Sequence, residues 1–155
     1  MSKLIMKREP KDNKYLHRDF HISLDNGLTY VGTNYGDQAV IELVERFTNQ
    51  YYKPLFEDFN KKGLVAIKDW IEKTYQTEEA LDAVKIEFSD NKLSVRVNYC
   101  PAVKYMRESG CEPSKWYIEL TRTVNQVIAK TCGIKFTMGE YDTQTGRTDY
   151  KFSLK

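Results

Sequence analysis

The chain has 155 residues, and 24 Lys and Arg stand against 22 Asp and Glu, a formal net charge of +2 with both histidines neutral. A chain of this length makes one ordinary domain that buries roughly 70% of the surface its unfolded form exposes, so a core forms without disulfides or a structural metal. The even charge balance argues against a nucleic-acid binder driven by counterion release, the 13% aromatic content against disorder, and the lack of any apolar run near about 20 residues against a membrane span.

The opening stretch, Met1 to Tyr15, is basic but has no apolar core of signal-peptide length, which predicts a cytoplasmic protein. Cys100, Cys111 and Cys132 are odd in number and form no CxxC pair, as suits reduced thiols. Residues 1–12 read as a flexible arm, and 13–155 as a single α+β domain.

From Asn13 to about Asn34, Leu16, Phe20, Leu24, Leu28 and Val31 recur at three- and four-residue steps and predict a first helix, with Gly32 and Gly36 marking its end. Asp37 is placed to start a second helix, whose stripe is Val40, Leu43, Val44, Phe47, Tyr51 and Leu55, with a kink or a restart at Pro54. A third helix follows Gly63, with Leu64, Ile67, Trp70, Ile71 and Tyr75 on one face.

The period then changes to two. Val84, Ile86 and Phe88 alternate with polar residues, as do Leu93, Val95, Val97 and Tyr99, around an Asp90-Asn91 turn, which predicts a hairpin with one buried face. A short helical or irregular piece runs to Gly110. Pro113-Ser114 opens a further helix with Trp116, Leu120, Thr123, Val124 and Val127 on its face, and a last hairpin joins the strands around Phe136 and Tyr150 through a turn ending at Gly146. The expected layout is three N-terminal helices followed by a ββαββ unit that forms a four-stranded antiparallel sheet, an α+β fold.

Phosphate-loop, GxGxxG, GxSxG and HExxH patterns are all missing. Both histidines, His17 and His21, lie four apart on one helix face, where two imidazoles share a proton path or a metal. No third ligand stands at a known spacing, so no metal and no cofactor is expected. Cys100 ends the second strand of the first hairpin in phase with Ser94, Arg96 and Asn98, away from the core set. There it is a candidate nucleophile, with Arg96 favouring the thiolate and an imidazole as proton carrier. Arg96, Asn98, Tyr105 and Arg147 are the candidate substrate contacts, the guanidinium of Arg147 being suited to a carboxylate. Glu119 and Arg122 are expected to pair on the surface, and Thr123, turned inward, needs a partner.

Cys100-Pro101-Ala102-Val103, Gly110, the helix from Trp116 to Ala129, and the closing Gly146-Arg147-Thr148-Asp149-Tyr150-Lys151-Phe152 together resemble the L-2-amino-thiazoline-4-carboxylic acid hydrolase-like family from about Tyr51 onward. The wider layout is similar to the small-molecule-binding domains related to 4-vinyl reductases and TRAPP subunits. Where the hydrolase-like pattern has a second cysteine in the last strand, this chain has Tyr150. The resemblance implies hydrolytic opening of a small sulfur- and nitrogen-containing ring, with Cys100 as nucleophile and His17 or His21 moving the proton. Two other readings are a small-molecule-binding domain without catalysis and a module that dimerises through its helices. The expected partner is a small molecule, with no nucleic acid or membrane.

Overall fold

The computed structural model describes residues 18–155. Four helices come first: α1 (Asp19–Tyr35), α2 (Asp37–Tyr51), α3 (Lys53–Lys62) and α4 (Leu64–Thr77). A 3-10 turn, Leu81–Ala83, leads into β1 (Val84–Ser89) and β2 (Lys92–Val97). After α5 (Pro101–Glu108) and α6 (Glu119–Thr131), the chain ends in β3 (Lys135–Tyr141) and β4 (Thr148–Ser153). The expected flexible arm and His17 lie outside the described residues. Among the described residues no helix is long and apolar enough to cross a membrane.

The helical half has one element more than the apolar pattern suggests. The stripe from Val40 to Leu55 is continuous in sequence, but Pro54 lacks the N–H that would continue the ladder, so α2 stops at Tyr51 and α3 restarts with proline in its first turn. Tyr52, at φ −91° and ψ 11°, is the joint between them. Gly32 does not end α1 but lies within it, where the Trp116 indole packs on its bare Cα. A Cβ built there would stand 2.2 Å from the ring. The indole N–H donates to Asp37 Oδ1 at 2.7 Å, which ties the two ends of the α1–α2 corner together.

The sheet order is β1-β2-β4-β3, all neighbours antiparallel. Two hairpins therefore meet at the β2–β4 pair, and the chain reaches the far edge through α5 and α6. The register aligns the apolar sets across the sheet: Ile86 faces Val95, which faces Tyr150, which faces Met138. Leu93 and Phe136 both pair with Phe152, which is wholly buried with Tyr150 and Phe136 around it in an aromatic cluster. α4 covers the β1–β2 side of this face and α6 the β3 side. The other face is solvated and carries Lys85, Glu87, Arg96, Asp149 and Lys151.

α6 begins at Glu119 rather than at Pro113. The residues between form a turn held by a buried carboxylate of α1: Asp25 accepts from the Ser114 amide at 2.9 Å and from its hydroxyl at 2.6 Å. Glu119 is also buried instead of lying on the surface. It pairs with Arg122 and accepts the Thr123 hydroxyl at 2.6 Å, which is the partner that the inward-facing Thr123 requires.

Candidate functional site

Cys100 sits elsewhere than strand parity predicts. β2 ends at Val97, and the Asn98 amide turns aside to donate to the Ala83 carbonyl at 2.8 Å, so alternation stops two residues before the cysteine. Cys100 instead precedes the first turn of α5, packs against the core and lines a partly open cavity. The β3–β4 loop fixes it there. Its amide donates to the Thr145 carbonyl at 2.8 Å, and Gly146 lies so close that a Cβ on it would stand 2.3 Å from Cys100 Cβ. Gly146 also needs its φ of +71°, which only glycine adopts freely. Asp142 organises the loop from within, accepting the Gln144 amide and the Thr145 hydroxyl at 2.8 Å each, and these bonds hold its carboxyl below the usual range.

The cavity has a volume of about 170 Å³ and lies between α4, α6 and the inner face of the sheet. Leu55, Ile67, Val97, Val124 and Ile128 give it apolar walls, and Tyr52, Trp70, Tyr75 and Tyr150 contribute aromatic ones. No charged side chain among the described residues lines it. Thr148 borders both this cavity and an outer pocket that holds Arg96, Asn98 and Arg147, and its hydroxyl is buried with no protein group paired to it. A buried hydroxyl in that state costs stability, so its retention at a cavity wall is a ligand-site signal.

Burial dominates the electrostatics. It pushes the Cys100 thiol above its ordinary value, Glu78 adds to the effect, and the Val103 and Ala102 amides at the start of α5 oppose it only in part. Burial likewise pushes Tyr52 up to about 12 and Tyr75 and Tyr150 higher still, with Tyr150 adding to the effect at Tyr75 and Tyr52 adding to it at Tyr150. The cavity is therefore lined by neutral donors and acceptors at neutral pH.

Three of the other candidates are brought together, but not beside Cys100: Arg96, Asn98 and Arg147 line the separate outer pocket of about 550 Å³ together with Glu140, Asp142, Thr148 and Asp149. Arg96 lies on the solvated face of the sheet, its Nε 3.0 Å from Asp149 Oδ1. Asn98 is exposed at the end of β2, Arg147 is exposed on the β3–β4 loop, and Tyr105 bonds through its hydroxyl to Asp19. None of these four lines the cavity. His21 is tied elsewhere: its Nε2 is 3.1 Å from Glu78 Oε1 and its Nδ1 is 3.3 Å from the Tyr117 hydroxyl. In the neutral ring this arrangement has Nε2–H donating to Glu78 and Nδ1 accepting from the phenol, a clamp between α1, the end of α4 and the turn before α6. No group of three or more His, Cys, Asp or Glu among the described residues is placed to hold a metal.

The polar residue that borders both pockets was available to sequence reasoning. Thr148 stands in phase with Tyr150 and Phe152 on the buried side of β4, the same inward hydroxyl signal that singled out Thr123. No known family model matches the chain, and no curated protein matches it in sequence.

Thiol chemistry follows from the geometry. At pH 7–8 iodoacetamide is expected to alkylate Cys100, and Cys132, whose thiol burial pushes up to about 11, more slowly than Cys111 in the folded protein, as peptide mass spectrometry over time would reveal. Because folding raises both thiol pKa values, their contribution to stability is intact below the unfolded value near 9 and is lost as pH climbs above it. A Cys100 that reacts fastest of the three at pH 7 would contradict the assignment of a protonated, half-buried thiol.

Proposed function

We propose that this protein binds a small molecule through a neutral, largely aromatic group bearing one hydrogen-bonding substituent, held in the cavity between α4, α6 and the sheet. The observation that carries this reading is an uncharged, largely aromatic cavity of about 170 Å³ with Thr148, whose hydroxyl is unpaired, among the residues that border it. That volume is close to the roughly 150 Å³ apolar cavity known to accept benzene. Four aromatic side chains around it favour a flat ring, and Thr148 supplies orientation.

Hydrolysis through Cys100, the activity implied by the family resemblance, needs a thiolate and a cation for the substrate carboxylate. Burial favours the thiol, and both candidate arginines are outside the cavity. Binding without turnover is the reading that this lining supports better.

Benzyl alcohol at a hundredfold excess over its Kd is expected to raise the melting temperature by roughly 5–10 °C, whereas benzoate, which would have to shed its hydration with no cation to meet it, is expected to have no effect. Thr148→Val separates binding from stability. It should stabilise the free protein by about 1 kcal/mol, weaken benzyl alcohol about tenfold, and leave toluene unchanged. Equal benzyl alcohol affinity in the two proteins, measured by calorimetric titration, would remove Thr148 from the site.

A further inference from the structure

A second cavity lies on the outside of the helical layer. It is a groove of about 630 Å³ that runs between Phe20 and His21 of α1, Tyr51 at the end of α2, and Trp70, Lys73 and Glu78 of the α4 segment. Trp70 and Thr74 border both this groove and the inner cavity. A single layer of side chains therefore divides them.

Trp70 is the larger part of that partition. Its ring packs against Tyr51, which lines only the groove, at 6.1 Å between centroids, and against Tyr52, which lines only the cavity, at 5.2 Å. Tyr51 and Tyr52 stand at the break between α2 and α3, where Pro54 interrupts the helix ladder, so the backbone beside the ring is not locked into a continuous helix. The groove has two charged residues of fixed sign with different standing. Glu78 is engaged by His21 at 3.1 Å, while the Lys73 ammonium has no partner among the described residues.

We infer that the groove and the cavity are two halves of one binding site divided by Trp70, and that the ligand is an aryl-alkanoate whose neutral ring lies inside, with its polar substituent at Thr148, and whose carboxylate emerges beside Lys73. This deepens the proposed binding function and rests on it. The inner half excludes an anion and the outer half supplies an exposed cation, so the charge belongs at the mouth and the ring at the back. The short alkyl spacer passes Trp70 and Thr74, where its methylenes leave water against the indole.

Two probes test it. Benzyl alcohol fills only the inner half, and 3-[4-(hydroxymethyl)phenyl]propanoate adds the spacer and the carboxylate. The acid is expected to bind at least tenfold more tightly than the alcohol. Lys73→Gln should weaken the acid about fivefold with no change for the alcohol, and Trp70→Ala should speed association of both. If the alcohol binds but the acid binds no better, or if Lys73→Gln leaves the acid unaffected, the two-part site is overturned while the cavity reading survives. If neither probe binds, the cavity reading fails and the inference fails with it.

Discussion

Replacing Gly146 with alanine should destabilise the protein by about 2–4 kcal/mol, combining the cost of a left-handed non-glycine residue with overpacking against a neighbour that cannot retreat. The neighbour is Cys100, whose Cβ would lie 2.3 Å from the new methyl group and whose backbone is pinned by its own bond to the Thr145 carbonyl. Relief requires the β3–β4 loop to lift away from the start of α5, and Gly146 is part of the cavity lining. The variant is therefore expected to lose stabilisation by benzyl alcohol as well as folding free energy. Urea unfolding with and without the ligand measures both effects. A loss below 1 kcal/mol with ligand stabilisation intact would show that the loop is free to shift, and that its contact with Cys100 does not shape the site.

Asp25→Ala is expected to cost about 3 kcal/mol, because a buried carboxylate that accepts two hydrogen bonds is lost and leaves an amide and a hydroxyl unpaired. Both donors belong to Ser114, and the turn they begin carries Trp116 onto Gly32 and Tyr117 onto His21. The effect should spread beyond the point of substitution. Tyr117, 6% exposed in the native protein, is expected to become accessible to solvent, which near-ultraviolet circular dichroism would register as a lost tyrosine signal. Asp25→Asn, which keeps one acceptor for Ser114, should recover part of the stability. Equal losses in the alanine and asparagine variants would mean that packing, not hydrogen bonding, holds this turn.

The sheet was the most legible part of the fold. Strands with one buried face write their register in alternation, and the sets containing Ile86, Val95, Met138 and Tyr150 face inward together as their phases require. The helix joints were less so. An apolar stripe runs through Pro54 without interruption, so periodicity merges α2 with α3 even though the backbone cannot. Gly32 looks like a stop signal but serves as a seat for an indole from a residue 84 positions away, which no local pattern encodes. At the candidate site, alternation places Cys100 at the end of β2 and away from the core, but the strand ends at Val97 and the parity ends with it, so Cys100 precedes α5 instead and packs against the core. Arg96 and Arg147 look useful by chemistry alone. Their positions on the solvated side depend on which strands pair, and β2 with β4 is a contact across more than fifty residues. Thr148 carries the opposite lesson. Its inward phase was plain, and its importance came from a partner that is missing, a property only the packed structure defines.

The central claim, that the cavity beside Thr148 and Cys100 receives a small neutral aromatic group, is tested most directly by titrating methyl-labelled protein with benzyl alcohol and following the methyl resonances by NMR. Saturable shifts at Val97, Val124, Ile128 and Thr148, with Val65 and Leu81 on the surface unmoved, are the predicted result. Shifts confined to surface methyls, or none at concentrations that saturate comparable cavities, would contradict it.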